Sequence, residues 1–162
     1  MKHAAYLGIM GTVALALACA SGSGGSALYQ REIGNASAED ARTLTMRVMS
    51  RYQYEVFSFD SIPSIRIETH WKTRPPFEDE RQLGITAAES RVIITGRIRG
   101  ETTLGSVYNL RMIVENRVRP AGRSEWNEST NTTAFREHAD AIVQEFRQEM
   151  LNIGVRRFGS GM

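Results

Sequence analysis

The pattern of apolar and polar positions beyond residue 36 predicts two helices flanking a run of strands. Ala41, Leu44, Thr45, Val48, Met49 and Tyr52 recur along one helical face, and Arg42, Arg47 and Arg51 fall off it. Ser37-Ala38-Glu39-Asp40 ahead of them is a capping-box pattern, with Ser37 accepting from an orphan amide and Asp40 reaching back. This predicts a first helix from Ser37 to Gln53. At the other end, Phe135, Ala139, Ile142, Phe146, Met150 and Ile153 keep helical spacing, which predicts a last helix from Thr133 to Asn152 with Gly154 as its terminator.

Between the helices the period drops to two. Tyr54 to Phe59 is aromatic-rich, and Asp60-Ser61-Ile62-Pro63 carries turn chemistry. From Ser64, the side chains of Ile65, Ile67, Thr69 and Trp71 alternate with Arg66, Glu68, His70 and Lys72. Thr73 to Ala88, with Pro75-Pro76 and many charges, reads as a long loop. Val92, Ile94, Gly96 and Ile98 alternate with Arg91, Ile93, Thr95, Arg97 and Arg99. Then Tyr108, Leu110, Met112, Val114 and Val118 alternate with Asn109, Arg111, Ile113, Glu115 and Arg117. Pro120 to Thr132 reads as a polar loop with a short edge strand near Trp126. Such alternation is what a sheet covered on one side produces. The predicted fold is α+β: a two-layer sandwich, with a mainly antiparallel sheet of about four strands and an N-terminal and a C-terminal helix on one face.

The N-terminus changes the picture. Lys2 precedes an uncharged, largely apolar run from Ala4 to Ala18, too short for a membrane span of roughly 20 residues but suited to a signal-peptide core. It ends in Leu15-Ala16-Leu17-Ala18-Cys19. This segment resembles the lipobox of bacterial lipoproteins: Ala18 and Cys19 match, Ala16 is an acceptable first residue, and Leu17 departs from the usual small residue. The resemblance implies cleavage before Cys19, lipidation of Cys19 and acylation of the new amine. Several acyl chains anchor stably where one does not. Ala20 is not the aspartate that favours the inner membrane, so the resemblance implies the periplasmic face of the outer membrane. Ala20 to Ala27 reads as a flexible tether by composition, and residues 20–36 as a coil reach about 20–25 Å. The expected organisation is a signal over 1–18, a lipidated cysteine and tether over 19–36, an α+β periplasmic domain over 37–154 and a flexible tail over 155–162.

Composition adds limits. Apolar residues at 41% and charged residues at 23% are an ordinary globular mix. The formal charge of +2 falls to +1 when Lys2 leaves with the signal, too balanced for a nucleic-acid binder. A single cysteine excludes an internal disulfide. No Gly-x-Ser-x-Gly elbow is present, and Ser106 follows Gly105 without the rest of one. Only His70 and His138 follow the signal. Glu68 and His70 share a strand face as a minimal acid–base pair, but no HExxH or CxxC accompanies them, so neither a metal nor a cofactor is expected. Glu78, Asp79 and Glu80 cluster between Arg74 and Arg81, which reads as a solvated, salt-linked loop.

The most suggestive feature is the sheet face opposite the apolar stripe. Arg66, Lys72, Arg91, Arg97, Arg99, Arg111 and Arg117 are expected there, interrupted by Glu68 and Glu115, with Ile93 and Ile113 among them. Arginine favours bidentate contact with phosphate or carboxylate. In element order the body loosely resembles helix-grip and related small α+β lipoproteins that serve β-barrel assembly or lipopolysaccharide insertion. The expected function is therefore a non-catalytic, membrane-anchored envelope lipoprotein that binds or scaffolds another envelope component. The alternatives are an anionic-lipid or lipopolysaccharide-binding module using Arg66, Arg91, Arg97, Arg99, Arg111 and Arg117, or a small envelope hydrolase using Glu68 and His70.

Overall fold

A computed structural model describes residues 28–103, 105–128 and 131–159. Its elements are β1 (Leu28–Ala36), α1 (Ala38–Arg51), β2 (Val56–Asp60), β3 (Ile65–Thr69), β4 (Lys72–Arg74), α2 (Glu78–Gln82), β5 (Ile85–Thr102), β6 (Gly105–Pro120), β7 (Asn127–Glu128) and α3 (Thr133–Gly159). The expected signal, Cys19, the Gly/Ser-rich part of the tether and the last three residues lie outside the described residues.

The class is α+β, as expected, but the sheet is larger than expected. Among the described residues seven antiparallel strands form one sheet in the order β1-β6-β5-β3-β2, with β4 also on β5 and β7 on β6. The long β5–β6 hairpin is its spine. One face carries Tyr29, Ile33, Ile65, Ile67, Val92, Ile94, Leu110, Met112 and Val114, which form one core with Leu44, Val48 and Met49 of α1 and Phe135, Ile142 and Phe146 of α3. The helical stripes expected for α1 and α3 are the ones buried. At the start of α1, Ser37 Oγ accepts from the Asp40 amide at 3.2 Å and donates to the Asp40 carboxylate at 2.7 Å.

Three expectations are corrected. Residues 28–36, read as part of a tether, are strand β1, paired with β6 from Leu28–Glu115 to Ala36–Tyr108. Its alternation was hidden by a bulge between Glu32 and Gly34, which spaces the inward Tyr29, Ile33 and Ala36 unevenly. Gly34 sits there at φ 135°, where a side chain would be strained and would collide with Met150. The segment 73–88, read as loop, contains most of β4, all of α2 and the start of β5. The last helix runs through Gly154 to Gly159, since a helical glycine costs only about 1 kcal/mol relative to alanine.

The facing of Trp71 and Lys72 also differs from expectation. The β3–β5 pairs include Ile67–Ile94, whereas the β4–β5 pairs include Lys72–Ser90, so one extra residue intervenes between the two strands. A one-residue slip turns every following side chain to the other face. Trp71, expected inward, lies on the open face with its ring 4.1 Å from the Arg117 guanidinium carbon. Lys72, expected outward, turns inward; its Nζ donates to the Tyr52 carbonyl at 2.6 Å and lies over the Tyr54 ring.

The start of α3 is capped from two sides. Thr132 Oγ1 accepts from the Phe135 amide at 3.3 Å, and Asp79 Oδ2, from α2, accepts from the Ala134 amide at 3.0 Å. The Ala134 amide is the chief reason that the Asp79 carboxyl titrates below its usual value. Asp79→Ala should cost about 1 kcal/mol at neutral pH, the usual worth of a cap. A lowered native pKa gives stability that is present above the usual aspartate value of 3.8 and lost as pH falls through the native one. The gap in urea midpoint between wild type and variant should therefore narrow below that value. A gap undiminished by acid would show that the ionised cap contributes nothing.

Candidate functional site

Neither long helix packs on the open face of the sheet; alternate residues of β3, β5, β6 and β1 build it. It holds five of the six arginines expected there, in two separate depressions. The first is a hollow of about 530 Å³ that includes Arg66, Arg97, Arg111, Gln30, Thr95 and Asn109 in its lining. The second is a cleft of about 280 Å³ lined by Trp71, Arg91, Arg117, Trp126 and Leu28. Arg99 belongs to neither: the β5–β6 register shifts between Ile98 and Gly100 and leaves it out of the pairing. Ile93 and Ile113 face each other across the strands on this face, and Ile93 is only 3% exposed.

Carboxylates neutralise much of this face. Glu68 holds Arg66 at 2.5 Å and reaches Arg91 at 3.9 Å; Arg91 also meets Glu115 at 2.5 Å. Glu89 holds Arg117 at 2.5 Å. Arg111 reaches one carboxylate, Glu32, at 3.8 Å, and with the Gln30 amide turned its Nη1 donates to Gln30 Oε1 at 2.6 Å. Among the described residues neither Arg97 nor Arg99 has a carboxylate partner. Among the described residues the hollow therefore keeps Arg97 without a carboxylate and Arg111 with only a distant one. In the cleft, Trp71 and Trp126 both lie against Arg117, with centroids 4.1 and 5.2 Å from its guanidinium carbon.

The structure does not join Glu68 to His70. Glu68 is taken up by Arg66 and Arg91, and the His70 ring stacks on Phe57 with centroids 4.6 Å apart. Among the described residues no group of three or more His, Cys, Asp or Glu side chains is placed to hold a metal ion. Nor, among them, is any helix long and apolar enough to cross a membrane.

A buried polar cluster escaped the sequence reading. Under Pro75 and Pro76, the Arg74 Nη atoms clasp Glu80 at 2.6 and 2.7 Å. Arg74 also donates to Asn116 Oδ1 at 2.9 Å and to the Pro75 carbonyl at 3.1 Å. Glu80 further accepts from the Phe77 amide and from Asn116 Nδ2. Burial alone would raise the Glu80 pKa, but Arg74, Phe77 and Asn116 outweigh it, and the carboxyl titrates below its usual value. Beside this cluster the Tyr54 hydroxyl and Ser90 Oγ lie 2.7 Å apart, and burial raises the Tyr54 pKa. His138 of α3 packs against Tyr52 and Phe77; burial first, then Arg74 and Lys72, lowers its pKa. One sequence signal pointed here: Ser90 and Asn116 are polar residues in the inward phase of β5 and β6.

Comparison with known protein families, curated proteins and solved structures returns no match to this chain.

Proposed function

We propose that this chain is a bacterial envelope lipoprotein, anchored through Cys19, whose folded domain binds another envelope component without catalysing a reaction. The anchor rests on the apolar run from Ala4 to Ala18 and on Leu15-Ala16-Leu17-Ala18-Cys19. Ala20 favours the periplasmic face of the outer membrane as the location. The binding reading is carried by one observation: the open sheet face holds a hollow of about 530 Å³ ringed by Arg66, Arg97 and Arg111. A second reading, in which the bound component is an anionic lipid or a lipopolysaccharide phosphate, is favoured by the absence, among the described residues, of a carboxylate partner on Arg97. An envelope hydrolase built on Glu68 and His70 has less support, because each side chain is engaged elsewhere.

The test is crosslinking in the bacterial cell, followed by detergent extraction and mass spectrometry, with wild type and Arg97→Glu/Arg111→Glu. Arg97 is exposed and Arg111 has one long ion pair, so the variant should fold normally. It should recover the bound component at least about tenfold less well, equivalent to about 1.4 kcal/mol. A protein lost in this way supports the first reading, and anionic lipid lost in this way supports the second. Equal recovery from both proteins would remove the open face as the binding surface.

A further inference from the structure

The buried cluster opens onto a pocket of about 350 Å³, separate from the open face. Tyr54, Lys72, Arg74, Phe77, Ser90 and His138 contribute to its lining, and Pro75 and Pro76 complete one wall. That volume is at the small end of the roughly 300–1,000 Å³ typical of ligand sites.

Its polar groups are mostly donors. A guanidinium has five N–H donors. Four of Arg74's bonds are made by its Nη atoms, to Glu80 twice, Asn116 and Pro75. The remaining donor, Nε, is buried without an acceptor, on a side chain that is 9% exposed. An unmet donor in such a place is costly. Lys72 Nζ has three donors and uses one on the Tyr52 carbonyl. In the Tyr54–Ser90 pair one hydroxyl donates to the other, which leaves the second proton free to donate.

Charge narrows the ligand. Arg74 is neutralised by Glu80, and Arg81 by Glu78. Burial beside Arg74 and Lys72 favours neutral His138. Among the described residues no carboxylate pairs with Lys72. The pocket therefore carries close to one uncompensated positive charge, and one negative charge balances it. Phe77, Tyr54 and the two prolines supply apolar walls for the rest of such a ligand.

We propose that this pocket binds a small organic monocarboxylate, held by Lys72 Nζ, with its apolar part against Phe77 and Pro76. The site is independent of the open-face binding reading.

The test titrates the full chain in detergent with sodium benzoate, and separately with inorganic phosphate, at matched ionic strength. The imidazole resonances of His138 are followed by NMR, with those of His70, stacked on Phe57, as an internal control. Benzoate should move the His138 signals saturably and leave His70 in place. Lys72→Gln should weaken benzoate at least about tenfold, while Lys72→Arg, which keeps the charge, should retain most of the affinity. Absence of a saturable His138 shift with wild type would overturn the proposal. So would unchanged affinity in Lys72→Gln, or inorganic phosphate binding as tightly as benzoate.

Discussion

Glu80→Ala should destabilise the domain by about 3–5 kcal/mol, because it strands the Arg74 guanidinium in the interior without its counter-charge. Glu80 is fully buried and serves three partners at once: Arg74, the Phe77 amide and Asn116. Small domains have net stabilities of about 5–15 kcal/mol, so the variant would lose a large share. The ion pair itself is a different matter, since buried pairs often do no better than apolar replacements of similar volume. Arg74→Met with Glu80→Leu should therefore lie closer to wild type than either single variant. Urea unfolding followed by circular dichroism, run as a double-mutant cycle, measures both. Single variants within about 0.5 kcal/mol of wild type would show that the pair is dispensable even when broken.

Phe146→Ala should cost a similar amount, about 3–5 kcal/mol, by a different route. Phe146 is 1% exposed on the face of α3 that meets the sheet, alongside Ile142 and Val143. Truncation removes its transfer free energy and leaves a cavity that the seven-stranded sheet is ill-placed to fill. Leu151, five residues along the same helix, is 64% exposed, and Leu151→Ala should change stability by less than about 0.5 kcal/mol. Equal urea midpoints for the two variants would mean that α3 is not seated on the core as described.

The parts of this fold that could be read in the sequence are those whose packing is periodic and one-sided. Leu44, Val48 and Met49 of α1 and the long alternations of β5 and β6 announce their faces because every second or every third to fourth residue is apolar. Where the phase breaks, the reading breaks with it. The bulge at Gly34 hid β1, and the slip before Lys72 exchanged the destinations of Trp71 and Lys72. Glu80 looked solvated among Glu78 and Asp79: the pattern set Arg74 and Arg81 beside the cluster, but it does not show that the Arg74–Glu80 pair is buried. The arginine face was legible as a set of positions. Its division into a hollow and a cleft, and the neutralisation of Arg66, Arg91 and Arg117 by Glu68, Glu89 and Glu115, depends on cross-strand register, which alternation alone does not specify.

The Trp71–Arg117–Trp126 contact has a spectroscopic consequence. The chain has two tryptophans, and both lie against the same guanidinium on the open face rather than in the core. Intrinsic emission excited at the red edge of protein absorbance is thus a local signal, blind to the helix-covered side. A denaturation curve recorded by tryptophan fluorescence reports when that face comes apart, and one recorded by far-ultraviolet circular dichroism reports the whole sandwich. If the open face loosens first, the two curves will separate, and the protein's own chromophores will have distinguished its two sides without any added label.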